Sequence, residues 1–249
     1  MAGEEHSDAE ILLEAGPGMP PWEGPPPAIE VLHQDEHLVA VLKPPGLLVH
    51  RVSPDSPEKV VLLQTVRDQL GQHLYPIQRL DRPASGVIVF GLSRAAAAAI
   101  QRSLEGDASR KEYLVLAHGA CEPAFESRRP LRSQAGQPQA AWTAFETLAR
   151  GPGCSLLRAR LHTGRYHQLR RHLAHLGHPA LGDTTYGKEA ANAAFRAAHG
   201  LTRLFLHAAR LVIAHPASGE PLELVAPLTP DLRAVLRSAG FAPDLVATL

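Results

Sequence analysis

Three polar segments of the chain place charged or hydroxylated residues directly beside apolar runs that predict strands. The first segment contains Arg79 and Asp81, in a loop that leads into the apolar run 87–90. A carboxylate in such a loop can serve as an acid, a base or a nucleophile, depending on its desolvation and on neighbouring cations. Turn hydrogen bonding is the structural alternative for an aspartate in this setting. Asp81 is therefore the first candidate catalytic residue.

The second segment is a strand candidate at 112–117 that carries Tyr113 and directly follows Lys111. Because side chains alternate along a strand, Lys111 and Tyr113 share one face. An aromatic side chain at such a position can stack on a nucleobase, whereas core packing is its common structural role. Tyr113 is thus a candidate substrate contact with a structural alternative.

The third segment, 163–173, predicts a strand end, a glycine turn and a helix from about Tyr166 to Leu176. Backbone N–H groups at a helix start, together with clustered cations, favour phosphate binding. No carboxylate occurs between Gly151 and Gly182, whereas this stretch contains Arg158, Arg160, Arg165, Arg170 and Arg171. Such a run attracts polyanions, although a solvated basic face has the same composition. If Arg170 points inward, Asp81 is the carboxylate that it can meet.

The net charge of +0 conceals an uneven distribution of charge along the chain. Residues 1–36 hold nine carboxylates and no Lys or Arg, so the remainder carries all 25 basic residues and only 16 acidic ones. A basic body of this kind indicates a polyanionic partner.

Composition and motif content exclude several classes of protein. A chain of 249 residues with two cysteines, Cys121 and Cys154, predicts one or two domains in a reducing, cytoplasmic compartment. No apolar run is long enough to span a membrane, and the acidic start does not resemble a signal peptide. The sequence lacks a glycine-rich phosphate loop, and its histidines do not follow zinc-ligand spacing, so we expect neither a cofactor nor a metal.

The pattern along the chain predicts an acidic, proline-rich, disordered tail over 1–28 and a folded domain over 29–249. Within that domain it predicts a hairpin over 29–42, a helix over 57–70 ended by Gly71, a buried strand at 87–90, a helix from the N-cap Ser93 to Gly106, and strands at 112–117, 142–148, 155–161 and 204–213. Adjacent strands with occasional helices indicate an α+β fold with a mostly antiparallel sheet.

These segments together resemble the RluA-type pseudouridine synthases. Residues 79–86 (RLDRPASG) resemble the family's H-R-L-D-x-x-T-S-G signature, and residues 163–170 (TGRYHQLR) resemble its T-G-R-x-H-Q-[IL]-R segment. Residues 41–50 and 177–187 are similar to two further family segments. The resemblance covers about residues 29–240, and the order and spacing of all four segments agree.

The resemblance implies a single catalytic domain in which helices flank a mostly antiparallel mixed sheet around a central RNA-binding cleft. It also implies conversion of uridine to pseudouridine in RNA, a reaction that needs no cofactor and no metal. Asp81 would attack the sugar or the uracil ring, or would deprotonate the sugar. Each route allows the glycosidic bond at N1 to break and to form again at C5.

Other roles follow from the same resemblance. Arg79 would fill the space left by a flipped-out base. Arg170 would pair with Asp81 and keep it ionised, while Tyr113 would lie against the base and could assist proton transfer. Further substrate-binding residues implied by the resemblance are Arg165, His167, Gln168 and Leu169.

Residues 64–73 and 170–176 are most similar to family members that act on uridine 65 of transfer RNA. Transfer RNA is therefore the expected partner of a monomeric enzyme, and a ribosomal RNA synthase of the same family is one alternative. The chain has Gln78 where the family has His, and Ala84 where it has Thr. These departures keep a catalytically impaired RNA-binding relative as the other alternative.

Overall fold

The structure is a computed structural model that describes residues 19–20, 22–51 and 58–249. Its strands are β1 (Val31–Gln34), β2 (Leu38–Lys43), β3 (Tyr75–Pro76), β4 (Ser85–Gly91), β5 (Arg110–His118), β6 (Ala124–Ser127), β7 (Leu131–Arg132), β8 (Pro138–Gln139), β9 (Thr143–Gly151), β10 (Cys154–Leu161), β11 (Leu206–Ala214) and β12 (Pro221–Val225). Its helices are α1 (Leu62–Leu70), α2 (Arg94–Glu105), α3 (Gln168–His175), α4 (Glu189–His199), α5 (Pro230–Ser238) and α6 (Pro243–Thr248). The described chain forms a larger unit, made of residues 19–114 and 206–249, and a smaller unit, made of residues 115–205.

In the larger unit, β4 lies in the middle of a mixed sheet. It pairs antiparallel with β2 and β3 and parallel with β11, while β1 extends the sheet beyond β2 and β12 extends it beyond β11. All seven residues of β4 are buried, as expected for a strand covered on both faces. Ile88 and Phe90 of this strand pack with Leu38, Leu62 and Ile100 in the main hydrophobic core.

The helix ends in the larger unit follow from individual residues. The Ser93 Oγ atom accepts a hydrogen bond from the Ala96 N–H at 3.1 Å and so caps the start of α2, as the sequence predicted. Gly71 ends α1 with a φ of 65°, a left-handed conformation that glycine adopts without strain. The predicted helix start at Pro57 lies outside the described residues, and the helix itself begins at Leu62.

In the smaller unit, β9 lies between β10 and β6 and pairs antiparallel with both. Strands β7 and β8 form a separate two-stranded antiparallel sheet. Helices α3 and α4 complete this unit. Its buried apolar residues include Phe145, Leu156, Leu157, Leu173 and Phe195. Both the strands and the helices of the smaller unit therefore contribute buried apolar side chains.

The α+β class and the mostly antiparallel mixed sheet are confirmed by this architecture. The pair β4 and β11 is parallel, which makes the sheet mixed. The sequence pattern missed the strands β3, β6, β7, β8 and β12 and the helices α4, α5 and α6. It began the helix of the third segment at Tyr166 instead of Gln168. The predicted domain bounds stay a prediction.

Most of the predicted disordered tail lies outside the described residues, which include only 19–20 and 22–28 of it. These nine residues contain no helix or strand. Trp22 packs against the main core and donates its indole N–H to the Pro25 carbonyl at 2.9 Å. Within the described ranges, no helix combines the length and the apolar character needed to cross a membrane.

Asp35 fastens the turn between β1 and β2 to the turn that follows β11. Its Oδ1 atom accepts the backbone N–H groups of His37 and Leu38 at 2.7 and 3.0 Å. Its Oδ2 atom lies 2.9 Å from His33 Nε2 and 3.1 Å from His215 Nε2. Although burial raises the pKa of Asp35, the hydrogen bonds from His33, His37, Leu38 and His215 outweigh it and hold the pKa well below its usual value.

We expect Asp35→Asn to lower the free energy of unfolding by about 2 kcal/mol at pH 5. A carboxylate whose pKa is depressed by folding stabilises the protein above its unfolded pKa of about 3.9 and loses that contribution as the pH falls. The penalty of the substitution should therefore shrink by about 1 kcal/mol between pH 5 and pH 3. Urea unfolding of the wild-type protein and of Asp35→Asn at both pH values measures this difference in the free energy of unfolding. A difference that stays constant with pH would contradict the stabilising role of the Asp35 carboxylate.

Candidate active site

The loop of residues 77–84, called here the Asp81 loop, connects β3 to β4 in the larger unit. Leu80 is buried in the main core, whereas Asp81 is half-buried and Arg79 is exposed. The Ala84 N–H donates to the Asp81 carbonyl at 3.1 Å and closes a turn. The Asp81 backbone thus takes part in a turn, and the buried Leu80 anchors the loop between two polar neighbours.

Lys43, at the end of β2, binds this loop through its side-chain ammonium group. The lysine is 0% exposed. Its ammonium group donates to the carbonyls of Pro44 at 2.9 Å, Arg82 at 3.1 Å and Ala84 at 2.8 Å. Because an ammonium group has three N–H donors, these three bonds use all of them. Two of the acceptors belong to the Asp81 loop, so Lys43 fixes the loop to the sheet.

We expect Lys43→Met to lower the free energy of unfolding by about 3 kcal/mol, because the carbonyls of Pro44 and Ala84 would lose a buried partner. The Arg82 carbonyl would keep the Gly46 N–H at 2.8 Å. Urea denaturation measures this loss, with Lys188→Met as the control because Lys188 is exposed. Equal losses in the two variants would contradict the supporting role of Lys43.

Two further side-chain pairs, an ion pair and a hydrogen bond, stabilise the carboxyl end of the Asp81 loop. Arg82 forms an ion pair with Glu58, whose side chain is 5% exposed. Ser85 Oγ lies 2.9 Å from His207 Nδ1, and His207 Nε2 lies 3.1 Å from the Ala226 carbonyl oxygen. Both Ser85 and His207 are 0% exposed. The loop is therefore held rigidly at the point where β4 begins.

Gly86 allows β4 to approach β11 closely. Its φ is +120°, a conformation that L side chains rarely adopt. A Cβ atom added there would collide with the backbone of Ala208, the residue opposite it in the parallel pair. Glycine is thus required at position 86 by the close pairing of β4 with β11.

Tyr113 is the residue of the larger unit that is coupled to Asp81. It is half-buried and packs against the main core. Burial and, secondarily, the negative charge of Asp81 raise the pKa of its phenol well above the usual range. Its hydroxyl therefore keeps its proton at neutral pH, in the electrostatic field of Asp81. The structure brings these two predicted site residues together.

In the smaller unit, Gln168 organises the predicted phosphate-binding segment. It is 2% exposed, and its Oε1 atom accepts the Thr163 hydroxyl at 2.7 Å and the Arg165 N–H at 3.0 Å. Its amide nitrogen donates to the Trp142 carbonyl at 3.0 Å and to Thr143 Oγ1 at 2.9 Å. These bonds hold the segment before Gln168 as a loop, which explains why α3 begins there and not at Tyr166.

Arg170 forms a bidentate ion pair with Asp183, which the sequence analysis did not identify as its partner. Arg170 Nε donates to Asp183 Oδ2 at 2.7 Å, and Arg170 Nη2 donates to Asp183 Oδ1 at 2.8 Å. The two side chains are 6% and 0% exposed. Asp183 Oδ1 also accepts the N–H groups of Thr185 and Tyr186. The guanidinium plane is thereby fixed by a carboxylate that is itself held in place.

His167 occupies the N-cap of α3 with a φ of 49°, and it is the one non-glycine residue with positive φ in the described chain. Its Nδ1 atom lies 3.1 Å from the Tyr186 hydroxyl, and its ring stacks on Tyr166 with centroids 3.8 Å apart. The Arg170 guanidinium lies 5.1 Å from the centroid of the Tyr186 ring. Residues in sparsely populated backbone conformations cluster at functional sites, which agrees with a role for His167.

The remaining predicted residues have simple placements. Leu169 is buried at 4% exposure. Arg165 is exposed, and its Nε donates to the Ala140 carbonyl at 3.0 Å. The pairing of Arg170 with Asp81 stays a prediction.

In the part of the chain that the structure describes, no three His, Cys, Asp or Glu side chains converge as metal ligands.

The sequence of this chain is similar to those of known proteins. The family model described as RNA pseudouridylate synthase matches residues 37–175. Over 220 residues the chain is 41% identical to tRNA pseudouridine synthase C of Pasteurella multocida, which covers 80% of this chain and 90% of that protein. Over 235 residues it is 40% identical to tRNA pseudouridine synthase C of Pectobacterium carotovorum, which covers 86% of this chain and 62% of that protein.

A solved structure has the same fold. Human RNA Pseudouridylate Synthase Domain Containing 4 superposes with a TM-score of 0.71 at 24% identity, covering 84% of this chain and 92% of that chain. The matched family range contains Asp81, Tyr113 and Arg170. The chain belongs to the RNA pseudouridylate synthase family.

Proposed function

We propose that this protein converts uridine 65 of transfer RNA to pseudouridine, with Asp81 as the catalytic carboxylate. The observation that carries the proposal is the rigid Asp81 loop, which presents a half-buried aspartate beside a protonated tyrosine. A fixed carboxylate lowers the entropic part of the barrier, because little further ordering is needed when the substrate binds.

The reaction is an isomerisation whose atoms balance without a co-reactant. The bond from the sugar C1′ to uracil N1 breaks, and a bond from C1′ to uracil C5 forms. The hydrogen on C5 leaves as a proton, and N1 gains a proton. Asp81 either bonds covalently to the sugar or the ring for part of this sequence, or takes a proton from the sugar.

Tyr113 is suited to the proton transfers of this sequence. Because its raised pKa keeps the phenol neutral, it can donate a hydrogen bond to the base or to Asp81. In the proposal, Arg170 stabilises the charged form of Asp81, and Asp183 holds the orientation of Arg170. In the proposal, Arg79, which is an exposed residue of the Asp81 loop, occupies the space left by the flipped base.

The choice of transfer RNA is supported by the relatives named tRNA pseudouridine synthase C. The basic excess of residues 37–249 suits any RNA, so charge alone does not select among RNA classes. The proposal includes a monomeric enzyme in the cytoplasm. Buried, unpaired Cys121 and Cys154 agree with a reducing compartment, and burial raises the pKa of both thiols.

Mapping of pseudouridine in transfer RNA and ribosomal RNA from cells with and without the protein tests this assignment. Loss of the modification at position 65 of transfer RNA, and at no ribosomal site, is the expected result. Loss confined to ribosomal RNA would replace the substrate and keep the reaction. No loss in either class would favour the impaired RNA-binding relative suggested by Gln78 and Ala84.

A further inference from the structure

Three side chains of the smaller unit form a closed group that the proposed reaction does not use. The Arg128 Nε–H donates to Glu126 Oε1 at 2.9 Å, and the Trp142 Nε1–H donates to Glu126 Oε2 at 3.0 Å. The Arg128 guanidinium lies 4.1 Å from the centroid of the Trp142 ring. Each member therefore contacts the other two, and we call the group the Arg128 platform.

The platform holds an arginine plane fixed although that arginine is exposed. The Arg128 side chain is 64% exposed. A solvent-exposed arginine normally samples many rotamers and loses that freedom when it binds a ligand. Here the indole covers one face of the guanidinium and the carboxylate holds its edge, so the opposite face is presented to solvent with most of the ordering already complete.

The platform is also joined to the segment that resembles the family's T-G-R-x-H-Q motif. The Trp142 N–H donates to Thr163 Oγ1 at 2.9 Å, and the Trp142 carbonyl accepts the His162 N–H at 3.1 Å and the Gln168 amide at 3.0 Å. The His162 ring stacks on Trp142 with centroids 3.6 Å apart. The platform thus has a fixed position relative to the residues at the start of α3.

The charge of the platform selects a base over a phosphate as its ligand. Hydrogen bonds from Arg128 and Trp142 lower the pKa of Glu126, which is therefore ionised at neutral pH. Its negative charge offsets the attraction of Arg128 for a phosphate. A nucleobase does not carry that charge, and guanidinium planes are established stacking surfaces for unpaired bases in RNA recognition.

Neighbouring cations supply the complementary contacts to the RNA backbone. Arg129, Arg132 and Arg165 are exposed, and none of them forms an ion pair with a carboxylate in the described ranges of the chain. The guanidinium groups of Arg132 and Arg165 bond to the carbonyls of Gly136 and Ala140. Positive charge that no carboxylate offsets is thus available to bind phosphates of the RNA backbone.

We propose that the Arg128 platform is a binding site for one unpaired nucleobase of the RNA substrate, separate from the uridine that reacts. This inference rests on the proposed function, because RNA is taken as the ligand. It assigns to Glu126 and Trp142 the task of holding the guanidinium plane, and to Arg128 the direct contact with the base.

The test compares two RNA probes on the full-length protein by fluorescence anisotropy at one salt concentration. One probe is single-stranded hexa-adenylate, and the other is an abasic ribose-phosphate oligomer of the same length. Arg128→Lys keeps the charge but removes the plane. Arg158→Lys is the matched control, because Arg158 forms a similar exposed ion pair with Glu146 at 2.9 Å. Among the described residues, no aromatic ring packs against the Arg158 guanidinium.

Arg128→Lys is expected to weaken hexa-adenylate binding about tenfold and to leave abasic binding unchanged. Arg158→Lys should change neither. Wild-type affinity of Arg128→Lys for hexa-adenylate, or an equal loss on both probes, would overturn the platform. A protein that shows the expected pattern but modifies no RNA would refute the proposed function alone, whereas an active enzyme without the pattern would refute the platform alone.

Discussion

Replacement of Asp81 by asparagine is expected to lower the rate constant for pseudouridine formation about 10⁴-fold or more, while the affinity for RNA stays nearly constant. Asparagine has the shape of aspartate but lacks the negative charge that the covalent and proton-transfer routes both require. The Asp81 loop should keep its conformation, because Lys43, Glu58 and His207 hold it through other atoms.

Single-turnover assays with excess enzyme separate this effect from weaker binding. Asp107→Asn is the matched control, since Asp107 is an exposed aspartate in the larger unit. The control should retain full activity. If Asp81→Asn kept even one tenth of the wild-type rate, the carboxylate would not be the group that initiates the reaction.

The ion pair of Arg170 and Asp183 carries the second large expected effect. We expect Asp183→Asn to lower the free energy of unfolding by about 3 kcal/mol, since it removes the carboxylate that pairs with a buried guanidinium. The remaining amide oxygen can still accept the N–H groups of Thr185 and Tyr186, so the variant isolates the loss of charge. Activity should fall as well, because Arg170 would lose its fixed orientation.

A double-mutant cycle distinguishes this explanation from a general loss of packing. Arg170→Met combined with Asp183→Asn should be more stable than Asp183→Asn alone, because no unpaired buried charge remains. Urea unfolding of the wild type, the two single variants and the double variant gives the coupling free energy between Arg170 and Asp183. A double variant whose loss equals the sum of the two single losses would contradict the ion-pair explanation.

Much of the fold was predictable because short-range signals agree with the observed contacts. Ser93 caps α2 because its hydroxyl reaches a backbone N–H three residues later, a bond that the sequence position alone predicts. Gly71 ends α1 for a similarly local reason. The apolar run at 87–90 became a fully buried strand, since a charged loop and Gly91 limit it on either side.

The missed elements depend on tertiary contacts. Strand β12 has only five residues, too few for its alternation to be distinctive, and all five pair with β11. Helix α4 has a single buried residue, Phe195, so little core packing marks its position. Such elements are decided by their neighbours in space and leave little pattern in sequence.

The site was predictable to the extent that each residue lies in a recognisable segment. Asp81, Tyr113 and Arg170 could be singled out from their segments, and the resemblance supplied their expected roles. The pairing of Arg170 with Asp183, the buried Lys43 and the left-handed His167 could not be predicted, because each depends on geometry between distant residues or on backbone strain. The available signal was that Lys43 and Asp183 lie in the family-like segments 41–50 and 177–187.

The most direct test of the central claim is tritium release from transfer RNA labelled at uracil C5. Formation of the new bond at C5 expels that hydrogen, so the assay reports the reaction without assuming which residues perform it. The proposal predicts release beyond one equivalent per protein molecule from wild-type protein. No release from transfer RNA, under conditions in which an active control enzyme releases tritium, would contradict it.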